Sequence, residues 1–383
     1  QRQMCIRDRA NGDGNVTTYY YSKDNGSSWV NSTSSSYTFN GLTSNTTFYI
    51  QVYVVDSNGR SSQVYTGSAA TTSENMALAT LNKLGLTAQT TTPNFNSSAT
   101  TNEGVFTSQD DLGTSYYFRG AVTNNYVYFA GYYWRIIRIN GDGTIRMIYD
   151  GTSAYANGVA NANKHLSSEY AFSYQMNDNA YLGYMYGTAG STSYNSTHAN
   201  INNSPVKTAV DEWYVTNILN RGYSNKVADA IYCNDRQISG TGVGYGTNRT
   251  NYMGIDRVYQ GKNPQLTCTQ QNDRFSVNTT VGTVATNGDL TYPIGLITAD
   301  EVLMAGGLPF DSNTSYYLYS GSIYWTMTPF NYGEAATMFF VNEEGGMLTQ
   351  YFKQNNYVRP VISLRNDVTI GGSGTSSNPF RIS

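Results

Sequence analysis

Few residues of this chain belong to the types that commonly bind metals or catalyse reactions, and the most suggestive stretch is Asn-Gly-Asp-Gly at 140–143. Its aspartate and glycines are typical of calcium loops. A loop of the EF-hand type that begins at Asn140 needs glycine at its sixth position and glutamate at its twelfth, but the chain has Ile145 and Gly151 there. Asn-Gly and Asp-Gly instead favour positive φ angles, so the stretch predicts a tight hairpin between two strands.

The cysteines and histidines favour structural roles over metal binding. Cys233 and Cys268 are the two cysteines outside the first nine residues. In a chain of secreted composition they predict one disulfide, and two separately buried thiols are the alternative. No Cys-x-x-Cys or His-x-x-x-His spacing indicates zinc. His165 and His198 lie in polar segments, which predicts ordinary exposed side chains, no metal site and no cofactor.

The acidic residues offer no pair whose spacing indicates catalysis. A glycosidase needs two carboxyl groups about 5–9.5 Å apart, and the chain has carboxylates such as Asp235, Asp256, Asp273, Glu334 and Glu343. Sequence spacing does not select two of them, and two histidines give little support for Ser-His or Cys-His nucleophiles. No catalytic residue is assigned, and a glycan-acting hydrolase stays an alternative function.

The composition favours an extracellular, β-rich protein. The 383 residues include 35 tyrosines and 37 glycines, whereas only 13% are charged. Tyrosine is favoured in strands and also at contact surfaces, where it provides a large area at a small entropic cost, so both interpretations stay open. The net charge of −3 argues against a nucleic-acid partner. No apolar run is long enough to predict insertion into a membrane.

The beginning of the chain divides into an apparent artefact and a strand-rich module. Residues 1–9 resemble translated sequencing-adapter read-through, so a signal peptide or anchor is expected to lie outside this sequence. In residues 10–66, an Asp-Asn-Gly turn and alternating apolar residues predict strands. One strand face is predicted to contain Phe48, Ile50, Val52 and Val54.

This alternation resembles the second half of a fibronectin type III domain, which implies a β-sandwich module. The resemblance rests on Leu42, Thr46, Phe48, Ile50, Val52 and Val54. Two positions depart from the family pattern, because Ser44 stands where proline is usual and Phe48 stands where the corner tyrosine is usual. The first strands of such a domain are missing, so the module is expected to be truncated.

Residues 67–104 are predicted to form a linker between two modules. A short helix is predicted with Ser73 as its N-terminal cap and with apolar residues near helical spacing at Met76, Leu78, Leu81 and Leu84. The following stretch is rich in Thr, Ser and Asn, which is typical of a spacer between surface modules.

Residues 105–383 are predicted to form one large domain with several strands and two main helices. One helix is predicted to begin with Ser204 as cap and Pro205 at the first helical position. The other has Thr298 and Glu301 as a capping box and a glycine stop. Acidic residues in the first turn stabilise the helix dipole, and this role is predicted for Asp211, Glu212, Asp300 and Glu301.

Five segments of this domain, in order, resemble a group of bacterial surface proteins that are often joined to fibronectin-like repeats. The segments are SYYFRGAVTNNYVYFAGYYWRIIRINGDGTIRMIYDG, CNDR, YPIGLITADEVLMAGG, YWTMTPF and VRPVISLRNDVTIGGSGTSSNPF. The region is similar to the C-type-lectin-like fold shared with formylglycine-generating enzymes. The resemblance implies a β-rich α+β class, a fibronectin III-like sandwich followed by a C-type-lectin-like domain.

Neither activity of that fold carries over to this chain. TPFNYGE and VNEEGG do not match the motifs with which calcium-dependent lectins hold sugar and metal, and no cysteine follows Cys268 to supply the reactive pair of the formylglycine-generating enzymes. What the resemblance implies is a non-catalytic binding or adhesion module at a cell surface. Its partner would be a glycan or protein on a host or bacterial surface.

A polar face near the C-terminus is the predicted ligand site. Aromatic and amide side chains stack on and hydrogen-bond sugars or peptides, and the candidates are Trp325, Asn331, Tyr332, Glu334, Asn355, Asn356 and Tyr357. Ordinary turn chemistry explains the same residue types. A purely structural stalk or pilus-associated module is a further alternative function.

Overall fold

The fold is β-rich with few helices, as the sequence predicts. The computed structural model describes residues 14–40, 42, 46–70, 75–351 and 353–383. The chain forms two units, which divide between Glu74 and Asn75. Each unit has its own sheets and buried residues.

The smaller unit is a four-stranded antiparallel sheet in the order β2-β1-β3-β4. Its strands are β1 (Val16–Ser22), β2 (Val30–Ser32), β3 (Thr47–Asp56) and β4 (Tyr65–Ala70). The predicted turn after β1 is confirmed, since Asn25 and Gly26 have φ angles of 55° and 84°. On β3 the alternation is also confirmed, because Val52 and Val54 are buried.

The larger unit contains eighteen strands among the described residues, many of them short. They are β5 (Asn102–Asp110), β6 (Gly113–Gly120), β7 (Tyr126–Phe129), β8 (Tyr132–Ile139), β9 (Ile145–Gly151), β10 (Met185–Tyr186), β11 (Asn202–Asn203), β12 (Tyr232–Cys233), β13 (Thr250–Asn251), β14 (Arg274–Phe275), β15 (Thr280–Val281), β16 (Val284–Ala285), β17 (Tyr324–Tyr332), β18 (Ala336–Val341), β19 (Met347–Tyr351), β20 (Val361–Leu364), β21 (Ile370–Gly371) and β22 (Phe380–Ile382). The α-helices are α1 (Met76–Lys83), α2 (Tyr194–Thr197), α3 (Pro205–Tyr214) and α4 (Ala299–Ala305).

Two sheets organise this unit. The main sheet has the order β20-β9-β8-β7-β22-β21, and β6 joins β8 to the outlying β5. Its pairs are antiparallel except for β22 with β7, which is parallel. The second sheet has the order β13-β17-β18-β19, and its strand β17 contains Trp325, Asn331 and Tyr332 of the predicted ligand face. Both sheets contribute to one apolar core.

The predicted hairpin around Asn-Gly-Asp-Gly is confirmed and connects β8 to β9. Gly143 N donates to Asn140 O at 2.8 Å, and Gly143 has the positive φ angle, 82°. The Asp142 carboxylate accepts hydrogen bonds from Thr144 N at 3.0 Å and Thr144 Oγ1 at 2.7 Å. The loop is therefore a turn that its own side chains stabilise.

Both predicted helix starts are confirmed. Ser204 caps α3, since its side chain accepts a hydrogen bond from Lys207 N, and Pro205 is the first helical residue. Helix α4 has the predicted capping box and ends at Gly306, whose φ is 111°. The first-turn role is wrong for Asp211 and Glu212, which lie in the last turns of α3, because Pro205 is its first residue. Asp211 instead forms an i,i+4 ion pair with Lys207 at 2.5 Å.

Part of the predicted linker belongs to the larger unit. The cap of α1 is Asn75, whose side chain accepts from Leu78 N at 2.9 Å, while the predicted cap Ser73 lies outside the described residues. The helix buries Ala77 and Leu81, whereas Met76 and Leu78 are exposed. Residues 75–86 are thus held by the burial of α1 and its end, and the largely exposed stretch after them is tied down by backbone hydrogen bonds such as Gln89 N to Val105 O and Ala99 N to Gly306 O.

Candidate binding groove

The seven residues of the predicted ligand face do not share one open surface. Trp325, Tyr332 and Asn356 are buried, with exposed fractions of 0%, 4% and 3%. Trp325 and Tyr332 belong to β17 and pack in the apolar core, so the structure does not present these side chains to a ligand. The other four remain predictions: Glu334 and Asn355 are exposed, and Asn331 and Tyr357 are half-buried.

Three of these four residues also have partners inside the protein. The Asn331 side chain accepts from Thr337 Oγ1 at 2.6 Å. Tyr357 stacks on His165 with ring centroids 3.6 Å apart. Glu334 lies 3.9 Å from Arg249, and both side chains are largely exposed, so this pair contributes little to stability.

Trp325 and Asn356, although buried, hold in place the segment that begins at Tyr170. Trp325 Nε1 donates to Tyr170 O at 2.7 Å. The backbones of Tyr170 and Asn356 exchange hydrogen bonds of 2.8 Å and 3.2 Å. The ring of Trp325 also meets Phe172 edge-on at 5.3 Å. The segment that begins at Tyr170 is therefore anchored to β17 and to the chain before β20.

That segment forms one side of an open groove with a volume of about 770 Å³, within the range of roughly 300–1,000 Å³ that ligand sites commonly have. We call it the tyrosine groove. Its aromatic lining consists of Tyr170, Tyr174, Tyr181 and Tyr186. Tyr174 is 70% exposed, and the other three are half-buried, so ring surface is accessible to a ligand.

The opposite side of the tyrosine groove is made by one face of α3. Pro205, Thr208 and Glu212 lie three and four residues apart, which places them along one side of a helix, and all three line the groove. The β10–β11 ladder joins the two sides, since Met185 pairs with Asn203 and Tyr186 with Asn202. The groove is therefore built on paired strands and a capped helix.

Polar groups are distributed between the tyrosine rings. Amide side chains come from Gln175, Asn202 and Asn203, and Asn202 Nδ2 donates to Gly187 O at 3.0 Å. Tyr181 and Tyr186 meet edge-on at 5.4 Å. Burial, with the nearby Tyr186 and Asp178, raises the pKa of Tyr181, so its hydroxyl is protonated at neutral pH and can both donate and accept.

Sequence reasoning missed this groove. Five tyrosines lie between residues 170 and 186, in a stretch with no lysine or arginine. That density was a usable signal, but Tyr184 of the same run is fully buried. Period and composition do not separate the packed tyrosine from the exposed ones, because the segment has little regular secondary structure.

A second candidate, the buried ion-pair cluster, lies under the hairpin between β8 and β9. It comprises Asp110, Arg138, Arg146, Asp235, Arg257, Asp300 and Glu301. The enclosed space has a volume of about 30 Å³, which suffices for one or two waters. A substrate does not fit there, so the cluster is a structural feature of the core.

Three arginines face four carboxylates in this cluster, and every member has at least one partner of opposite charge. Glu301 bridges Arg146 at 2.6 Å and Arg138 at 3.0 Å. Burial alone would raise the pKa of Glu301, but these two guanidinium groups outweigh it and lower the pKa. Asp235 differs, because burial outweighs its ion pair with Arg257 and raises its pKa to about 6. Arg138, Arg146 and Arg257 are thus each paired with carboxylates inside the domain.

The predicted disulfide is confirmed between Cys233 and Cys268, whose Cα atoms are 5.6 Å apart. The expectation of exposed histidines is wrong, because His165 and His198 are 4% and 0% exposed. Burial lowers the pKa of both, since the neutral ring is favoured away from water. Both histidines pack against aromatic rings in the larger unit.

No helix in the described residues is both long and apolar enough to cross a membrane. No group of three or more His, Cys, Asp and Glu side chains in that part of the chain is arranged to hold a metal ion. Comparison of the chain with protein-family models, curated proteins and solved structures finds no match.

Proposed function

We propose that this chain is a non-catalytic, extracellular binding or adhesion module of a bacterial surface protein, and that the tyrosine groove holds its glycan ligand. The observation that carries the proposal is the accessible lining of tyrosine rings and amide side chains. Flat aromatic faces pack against the apolar faces of sugar rings. Amide and hydroxyl groups supply the donors and acceptors that sugar hydroxyls require.

The composition of the lining favours binding over hydrolysis. Glycoside hydrolysis uses two carboxyl groups on either side of the bond. In the described lining of the tyrosine groove, Glu212 is the single carboxylate. The large set of buried acids belongs to the enclosed ion-pair cluster, which leaves space for water alone. Glycan binding without hydrolysis is therefore the function that the tyrosine groove supports best.

The disulfide supports the proposed location. Disulfides form and persist in oxidising compartments such as the cell exterior. Cys233 and Cys268 are bonded in the larger unit, the same unit that contains the groove. A module displayed outside the cell meets glycans on host or bacterial surfaces, which are the partners we propose.

The domain resemblances are part of the same proposal. For the smaller unit, the sheet order β2-β1-β3-β4 agrees with the C′-C-F-G order of a sandwich domain, which supports a fibronectin type III-like module. For the larger unit, helix α4 followed by the paired strands β17 to β20 supports a C-type-lectin-like domain. In both cases the support is topological.

The test is a glycan array probed with the full chain and with Tyr174→Ala. Tyr174 is 70% exposed, so its truncation leaves the core intact. Losing an aromatic anchor commonly weakens binding by about ten- to a hundredfold, and we expect that loss for glycans bound in the groove. Titration of the best array ligand into both proteins measures it.

The control is Tyr49→Ala, which removes a ring that is 56% exposed on β3 of the smaller unit. This variant is expected to bind as the unaltered chain does. Equal binding by the Tyr174→Ala protein, or no glycan binding at all by the unaltered chain, would remove the groove as a glycan site.

A further inference from the structure

The tyrosine groove has an uncompensated negative charge. Among its described lining residues, Glu212 is the only ionisable group besides the tyrosines. Its side chain is exposed near the C-terminal end of α3. The neighbouring Asp211 is paired with Lys207, but no arginine, lysine or histidine in the described residues forms a salt bridge with Glu212. A ligand is therefore free to supply the opposite charge.

The tyrosine rings favour the same sign of charge in the ligand. The face of an aromatic ring attracts a cation within about 6 Å of its centre, and the attraction grows as water is excluded. Tyr181 and Tyr186, edge-on to each other at 5.4 Å, give two ring surfaces of different orientation on one side. Glu212 lies on the helix that forms the other side.

Building on the proposed function, we infer that the glycan bound in the tyrosine groove carries an unsubstituted, protonated amino group, and that Glu212 and the tyrosine rings recognise it. The amino sugar offers an apolar ring face for stacking, hydroxyls for the amides of Asn202 and Asn203, and an ammonium group for the carboxylate. An N-acetylated sugar keeps the first two features and lacks the third.

Charge also disfavours the opposite class of glycan. A carboxylated or sulfated sugar in the groove meets Glu212 without a basic side chain in the described lining to offset the repulsion. The net charge of the whole chain is −3, which adds weakly to that repulsion. Selection for a cationic sugar thus follows from the lining together with the overall charge.

The experiment compares matched ligand pairs on the full chain. The probes are hexamers of glucosamine and of galactosamine, each with its fully N-acetylated counterpart, titrated at pH 6 in low salt. The free-amine member of at least one pair is expected to bind roughly five- to thirtyfold more tightly, the combined effect of an exposed ion pair and a cation–π contact. In 1 M salt the preference should shrink, since charges are screened beyond about 3 Å.

Two variants separate the contributions. Glu212→Gln keeps the size of the side chain and removes its charge, so its preference for the free-amine hexamer should fall to the roughly two- to fivefold that the tyrosine rings alone provide. Glu343→Gln, an exposed position after β18, is the matched control and should keep the preference of the unaltered chain.

The outcomes distinguish this inference from the proposed function. Equal affinity for both members of each pair, with binding still lost in Tyr174→Ala, would overturn the amine recognition and leave the glycan groove standing. A preference that Glu212→Gln leaves unchanged would also overturn it. Tighter binding of a lysine-rich peptide than of either amino-sugar hexamer would assign the site to protein cations instead, and no groove-dependent glycan binding would contradict both proposals.

Discussion

Asp235 illustrates how one residue can be held in an unfavourable ionisation state by its surroundings. It is 7% exposed and has a positive φ of 48°. Its partner Arg257 also pairs with Asp300 at 2.9 Å, so two carboxylates share one guanidinium. Burial, only partly offset by Arg257, raises the pKa of Asp235 to about 6. The residue therefore couples the stability of the cluster to pH.

We predict that Asp235→Asn changes the pH dependence of stability. The folded protein holds this proton more tightly than the unfolded chain does. The contribution of protonated Asp235 to the stability of the fold is therefore complete below about pH 4 and is lost as the pH rises through about 6. Asparagine does not titrate and tolerates the left-handed backbone. Unfolding free energies from urea titrations between pH 4 and 8 should show the unaltered chain losing stability relative to the variant over that window.

A constant difference between the two proteins across these pH values would contradict the prediction. It would mean that Asp235 stays ionised throughout, held by Arg257 more strongly than burial opposes it. The stability of Asp367→Asn, at an exposed aspartate that pairs with Arg365, serves as the control for general effects of removing a carboxylate.

Tyrosines take opposite roles in this chain. Tyr232 and Tyr317 are buried with exposed fractions of 0% and 1%, and the Tyr232 hydroxyl donates to Pro293 O at 3.1 Å. Tyr174 exposes most of its ring. The residue type satisfies both environments because an apolar ring carries one polar group. Tyrosine content alone could not distinguish packing from binding.

The hairpin between β8 and β9 shows how a local signal depends on distant parts of the fold. Gly143 is required by its positive φ, as the sequence indicates. Gly141 is required for a different reason: a Cβ there would lie 2.5 Å from Gly113 N and 2.6 Å from Asp110 Oδ1. Its own N–H donates to Asp110 Oδ2 at 2.9 Å. Gly141 is thus required by the neighbouring turn between β5 and β6, which no local sequence pattern reveals.

We predict that Gly141→Ala destabilises the protein by about 1–3 kcal/mol, the usual effect of forcing an extra group into a packed site. The new methyl group would push the β8–β9 turn away from Asp110 and weaken its contacts with the ion-pair cluster. The measurement is the free energy of unfolding in urea. Gly333→Ala is the control, because a Cβ at that position has open space, and it should change stability by less than about 0.5 kcal/mol. Equal effects of the two substitutions would contradict the close approach.

The disulfide ties together segments of the larger unit that are far apart in sequence. Cys233 and Cys268 are 35 residues apart, and the segment between them contains Asp235 and Arg257 of the buried ion-pair cluster. The Cys268 backbone N–H also donates to Asp111 at 2.9 Å, just after β5. The bond thereby limits how far this segment can separate from the main sheet.

We predict that the double variant Cys233→Ser/Cys268→Ser loses about 3–4 kcal/mol of stability, because the unfolded chain regains the freedom that a closed loop of this length removes. Urea unfolding of the variant, and of the unaltered chain with and without reductant, measures the loss. Cys5→Ser is the control and should behave as the unaltered chain does. Reductant that leaves the unfolding midpoint unchanged would contradict the prediction.

Local rules account for much of the fold. Capping residues predicted the starts of α3 and α4, alternating apolar residues predicted β3, and the dipeptides Asn-Gly and Asp-Gly predicted the β8–β9 turn. Each of these signals depends only on neighbours in sequence. The buried face of α1 was predicted only in part, since Leu81 and Leu84 pack in the core together with Ala77, whereas Met76 and Leu78 are exposed although they are equally apolar. The choice of face depends on what lies beside the helix, and sequence periodicity does not contain that.

The amino-acid sequence by itself determined the β-rich class, the main turns and helix caps, and the residue types available for a disulfide and for binding. Tertiary structure decided which of these residues meet. It joined Cys233 to Cys268, buried Trp325 and Asn356 behind Tyr170, and opened a groove between that tyrosine's segment and Glu212. The physical reason is that exposure and pairing depend on contacts between residues far apart in the chain, whereas turns and caps depend on contacts within a few residues.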